Sequence, residues 1–86
     1  MGLEDVELVI AVEEEFGIAI DDSHAPDLVS VGKLFDYTLA RIRERGDDLN
    51  REIAWTRFVS VIVEQLGVPE DLVVPDAEFV RDLGIG

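Results

Sequence analysis

With 86 residues the chain is long enough for one domain and too short for two, and at this size it buries about 60–65% of its unfolded surface. Apolar residues at 48%, against seven glycines and three prolines, exclude wholesale disorder, and the absence of cysteine excludes disulfides, thiolate metal sites and thiol nucleophiles. Twenty acidic and seven basic side chains leave a formal charge of −13, which repels nucleic acid and anionic membranes and directs the search to basic protein partners.

The first predicted element is a helix over residues 3–16, in which Leu8, Val12 and Phe16 recur at the spacing of one buried face, with Val9 beside them, and Gly17 supplies the stop. Ile18-Ala19-Ile20 has no partner strand, so an extended loop anchored by Ile20 is expected. Pro26 limits Ser23 to Leu28 to one irregular turn, the short fourth helix of the set. Ser30 then caps a helix from Val31 to about Glu44, with Val31, Leu34, Phe35, Thr38, Leu39 and Ile42 as its stripe, Arg41, Arg43 and Arg45 at its negative end and Gly46 beyond.

Asp47 and Asp48 are the candidate caps of the next helix, although Arg51 stands where a capping box would place Glu or Gln. Trp55, Phe58, Ile62 and Leu66 give that helix its apolar stripe, and Gly67 ends it. Residues 68–86 carry Pro69 and Pro75 as punctuation and Val68, Leu72, Val73, Phe79 and Leu83 as anchors, the pattern of a structured loop with one or two short helical turns. The expected fold is all-α, three main helices and a short one in a single domain over residues 1–86. Its core is expected from Leu8, Val12, Phe16, Ile20, Leu28, Val31, Leu34, Phe58, Ile62, Leu66, Phe79 and Leu83.

Catalytic chemistry finds little support. His24 has no nucleophile motif to serve, and Glu13-Glu14-Glu15 and Asp21-Asp22 lie where an acidic surface places carboxylates. Asp21 and Asp22 lack the spacing of a calcium loop, so no specific metal site is expected. No apolar run approaches the ~20 residues of a membrane span and the N-terminus lacks a secretory pattern, so a soluble cytoplasmic protein is expected.

Particular residues nevertheless resemble a family. V-E-L-V-I-A-V-E-E-E-F-G-I-A-I-D-D at 6–22 and V-S-V-G-K-L-F-D-Y at 29–37 are similar to the second half of acyl carrier proteins. V-I-V-E-Q-L-G-V at 61–68 and F-V-R-D-L-G at 79–84 resemble the first half. The resemblance implies an acyl-carrier-like helical bundle whose halves stand in reversed order, with 3–45 matching the family's second to fourth helices and 49–84 its first helix and following loop. Five residues at 46–50 reach ~12 Å as a coil, enough to join antiparallel helices ~8–10 Å apart, so a circular permutation is physically feasible.

The family's chemistry rests on a serine in Asp-Ser-Leu that carries phosphopantetheine. Here the matching place is split between Met1-Gly2-Leu3 and Asp82-Leu83-Gly84-Ile85-Gly86, with Gly2 in the serine's position. The chain's three serines each have a structural explanation: Ser23 in a turn, Ser30 at a cap and Ser60 in mid-helix. No phosphopantetheine is therefore expected on this chain, and none of its residues is expected to act as a catalyst.

The resemblance implies that Leu3, Glu4, Glu7, Ile10, Glu13 and Glu14 form a face that meets the basic surfaces of acyl-transferring or synthase enzymes in fatty acid or polyketide biosynthesis. Two readings follow. The first is a serine-less interaction module; the alternative is a piece of a tandem acyl carrier array that carries acyl groups in its full-length context. A closed monomer is expected, with exchange of the last helix in a domain-swapped dimer as its competitor.

Overall fold

The computed structural model describes residues 5–84. Three α-helices run through them: α1 over Val6–Phe16, α2 over Val31–Glu44 and α3 over Arg51–Leu66. The short fourth helix takes the form of a single 3-10 turn, Ala25–Asp27, and a second such turn, Glu70–Leu72, follows α3. No strand forms among the described residues; Ser30 and Glu78 make one isolated antiparallel bridge. The bundle is all-α, consistent with the helical bundle that the resemblance implies.

Local chemistry sets the helix ends. α1 begins after Asp5, whose carboxylate accepts the Leu8 N–H at 3.1 Å, and it ends at Gly17, where φ of 64° turns the chain left-handed and lets the Ile18 N–H reach the Glu13 carbonyl at 3.1 Å. Described helix therefore starts at Val6, while Leu3 and Glu4 of the expected 3–16 span lie outside the described residues. α2 starts as expected, with the Ser30 hydroxyl accepting the Lys33 N–H at 3.2 Å.

The start of α3 differs from expectation. Asn50, and neither Asp47 nor Asp48, is the cap: its side-chain oxygen accepts the Glu52 and Ile53 N–H groups at 2.8 and 3.2 Å. Asp47 belongs instead to the end of α2, where the Gly46 N–H meets the Arg43 carbonyl at 2.9 Å and the Asp47 N–H meets that of Ile42 at 3.2 Å. Those two bonds satisfy carbonyls the helix leaves open, and the acidic side chain of Asp47 is drawn to Arg45 at 3.3 Å.

The core joins all three helices to the loops. Leu8, Val12 and Phe16 come from α1, Val31, Leu34, Phe35, Leu39 and Ile42 from α2, and Ala54, Phe58, Val59, Val61 and Ile62 from α3. Ile20, Leu28, Val73, Ala77, Phe79 and Leu83 seal it from the loops. Leu66, expected in the core, is only partly buried, because it ends α3 where the chain leaves the bundle. Leu72, expected as a loop anchor, is exposed, and the neighbouring Val73 takes the buried place. Thr38 is buried without an unpaired hydroxyl, since it donates to the Leu34 carbonyl at 2.8 Å, one turn earlier.

α3 packs on both α1 and α2 within the chain. Arg57 ties the first of these contacts: its guanidinium donates to the Glu15 carboxylate at 2.9 Å and to the Glu15 carbonyl at 2.7 Å, and lies 5.0 Å from the centre of the Phe16 ring. Arg41 on α2 and Arg45 just after it reach the carbonyls of Ala19 and Gly17, closing the end of α1 from the other side. After α3 the chain returns across the start of α2. There the Val31 and Gly32 N–H groups donate to the carbonyls of Ala77 and Pro75, each at 2.9 Å, and the Phe79 N–H donates to Val29 at 3.1 Å.

Candidate partner-docking surface

The buried stripe of α1 leaves its opposite side in solvent, and that side carries the residues singled out from the sequence. Glu7 and Glu14 are exposed, and Ile10 retains 46% of its surface accessibility between them. Val6, one turn before Ile10, is 67% exposed and belongs to the same strip. The sequence reading omitted Val6, although its four-residue spacing from Ile10 was visible. Apolar side chains flanked by carboxylates are what a partner with an apolar patch and a basic rim would require.

Glu13 departs from the expectation of a free surface charge. It is half-buried, and its carboxylate accepts the backbone N–H of Ile20 at 2.8 Å, so it holds the loop after α1 against the helix. Glu15 is likewise committed, to Arg57 on α3. Leu3, Glu4 and Gly2, also named from the sequence, lie outside the described residues.

The remaining chemistry-bearing residues support local structure. The Asp21 carboxylate accepts both the N–H and the hydroxyl of Ser23, at 2.9 and 2.8 Å, and these two bonds, backbone first, hold its pKa below the ordinary carboxylate value. The Tyr37 hydroxyl accepts the Asp21 N–H at 3.2 Å and lies 2.9 Å from Nδ1 of His24. Asp82 closes the turn from Glu78 to Leu83: it pairs with Arg81 at 3.0 Å and accepts the Glu78 N–H at 2.8 Å. The Arg81 bond first and the backbone bond second lower its pKa.

This donor set does not fit covalent attachment of phosphopantetheine. Ser23 is engaged by Asp21, Ser30 caps α2, and Ser60 sits between Val59 and Val61 on α3 with no flanking Asp-Ser-Leu. Among the described residues, no group of three or more His, Asp or Glu side chains is arranged to hold a metal ion, and no helix is long and apolar enough to cross a membrane.

One stretch of the chain has a counterpart among curated proteins. Over 35 residues it is 54% identical to the mitochondrial acyl carrier protein of Saccharomyces cerevisiae. That stretch is acyl-carrier-like. It covers 41% of this chain and 28% of the yeast protein, so the likeness extends over little more than a quarter of the relative. No family model matches the chain, and no solved structure matches it.

Proposed function

We infer that the chain is an acyl-carrier-like module without the prosthetic-group serine, a protein-interaction domain and not an enzyme, that docks through α1. The observation that carries this reading is the outer face of α1, where Val6 and Ile10 stand exposed beside Glu7 and Glu14 in a segment of carrier-like sequence. Its partners are the basic surfaces of acyl-transferring or synthase enzymes. The charge of −13 speeds and orients their encounter, and the exposed apolar pair supplies contact area once they meet. Glu13 contributes indirectly, by fixing the loop beside the docking helix.

The helix order supports a permuted carrier, in which α1 and α2 correspond to later helices of the family and α3 to its first. The ties from Arg57 to Glu15 and Phe16 give α3 a place on its own chain, as closure requires. Gly2 stands in the place of the modified serine and offers no hydroxyl for a phosphodiester.

Two measurements test the reading. Incubation with coenzyme A and a phosphopantetheinyl transferase should leave the mass of the chain unchanged; a gain of one phosphopantetheine on Ser23, Ser30 or Ser60 would overturn it. Titration with an acyl-transferring enzyme of basic surface should show binding that weakens about tenfold in a Glu7→Lys, Glu14→Lys double variant. Unaltered binding in that variant would remove α1 as the docking face. Modification restricted to a longer chain that continues past Gly86 would favour the tandem carrier instead.

A further inference from the structure

α2, α3 and the loop after α3 enclose a cleft of about 560 Å³, within the range of roughly 300–1,000 Å³ typical of small-molecule sites. It lies apart from the outer face of α1. Phe35, Trp55 and Pro75 form its apolar walls, and Asp36, Glu52 and Arg51 its rim. The aromatic walls are held in place from behind. Trp55 meets Phe35 edge to face at 5.0 Å and stacks on the fully buried Phe58 at 5.9 Å, while Phe35 packs on Phe58 at 5.2 Å. Pro75 is pinned by the Gly32 N–H on its carbonyl.

One of the chain's own cations already lies in this cleft. The guanidinium of Arg51 lies 5.2 Å from the centre of the Phe35 ring and 3.7 Å from the Asp36 carboxylate. An aromatic face backed by a carboxylate is the arrangement that holds an organic cation: the ring's negative face attracts the charge and the carboxylate neutralises it. Arg51 is 61% exposed at its side chain, so it covers the ring from the solvent side and is free to swing away. The charge of −13 raises the local concentration of cations and excludes anions.

We propose that the cleft bounded by Phe35, Trp55 and Pro75 binds a small organic cation with an aromatic or compact apolar body, its charge over the Phe35 ring beside Asp36 and its body against Trp55, with Glu52 adding negative charge to the rim. Arg51 occupies the cation position until the ligand displaces it. The site does not depend on the carrier reading, because none of its residues lies on α1.

Trp55 is the only tryptophan in the chain and also borders a neighbouring hollow beside Val59 and Ser60, so its fluorescence reports binding at either place and the Asp36 and Arg51 variants assign it to the cleft. The probes are phenyltrimethylammonium, its neutral isostere tert-butylbenzene, and benzoate, each titrated into the intact protein at low ionic strength. A saturable change is expected with the cation, roughly fivefold tighter than with the neutral isostere, and none with benzoate. Asp36→Asn combined with Glu52→Gln should bring the cation and its isostere to nearly equal affinity. Arg51→Ala, which uncovers Phe35 and releases Asp36, should tighten cation binding roughly two- to fivefold. A merely structural Arg51 would weaken it. Far-UV circular dichroism establishes that each variant is folded, and Arg51→Gln takes the place of Arg51→Ala if the latter is not. Equal affinity for cation and isostere in the native chain, or unsaturable quenching by all three probes, would overturn the proposal.

Discussion

Replacing Gly32 by alanine should destabilise this protein, although the same change in an ordinary helix gains up to ~1 kcal/mol. Gly32 sits in the first turn of α2 with no left-handed φ, so torsional strain is not the issue. A Cβ placed there would be 2.9 Å from the Pro75 carbonyl oxygen and 3.3 Å from Pro75 Cβ, inside ordinary van der Waals contact. The obstacle is backbone, held by the bonds from Val31 and Gly32 to Ala77 and Pro75 and from Phe79 to Val29. The loop must retreat by several tenths of an ångström, and the amides it caps lose their partners. Overpacking costs about 1–3 kcal/mol and each weakened bond about 1 kcal/mol, against the gain of up to ~1 kcal/mol from propensity. With the two amides of Val31 and Gly32 affected, the net loss is about 2–4 kcal/mol, which lowers the Tm of a domain this size by roughly 10–30 °C. Thermal melts followed by far-UV circular dichroism measure the loss, and amide hydrogen exchange should show reduced protection at Val31 and Gly32. A Tm that is unchanged or raised, with protection intact, would refute the steric argument.

Arg57→Ala should cost about 1–2 kcal/mol in denaturant unfolding, by removing the two bonds to Glu15 and the contact with Phe16. Arg57→Lys should recover little of it, since an ammonium cannot donate to carboxylate and carbonyl in the same fork. The folded-state pKa of Asp82 is depressed, so its stabilisation is fully present above the unfolded value of about 3.9 and is lost as pH falls through the folded value. The gap in Tm between the native chain and Asp82→Asn should therefore narrow from pH 5 towards pH 2; a gap constant over that range would count against the assignment. Sedimentation should give a monomer near 9.6 kDa. A dimer in which labelled α1 contacts α3 only of an unlabelled copy would show exchange of the last helix.

The helices were legible because their signals are local. The stripe Leu8, Val12, Phe16, the Ser30 cap and the left-handed glycines at 17, 46 and 67 each act within one turn of the residue that carries them. Asn50 shows where local reading fails by a few residues. Asp47, Asp48 and Asn50 all have capping side chains, and the choice among them was made by the end of α2, which draws Asp47 back to Ile42 and Arg45 before α3 begins. Glu13 failed for a related reason. On a helical wheel it is a surface charge, and only the path of the chain after Gly17 brings the Ile20 amide within 2.8 Å of it.

The loop after α3 was the least legible part, and it shapes the cleft. Its anchors were visible as Val73, Phe79 and Leu83, but their spacing has no helical or strand period, so no pattern could say what they cover. What fixes the loop is pairing between residues more than forty positions apart, Gly32 with Pro75 and Val31 with Ala77. Those bonds do for α2 what a side-chain cap does elsewhere: they take up N–H groups at the helix start that have no partner within the helix. A glycine at position 32 reads in sequence as a mild weakness of the helix. In the fold it is the condition for Pro75 to approach, and hence for the cleft to have its third wall. The outer face of α1 owes nothing to that approach, since its residues lie on one helix and the resemblance to carrier proteins marks them. The two candidate surfaces thus differ in how they are built: the α1 face lies within one carrier-like segment, whereas the cleft needs α2, α3 and the loop after α3 together, which no local pattern reports.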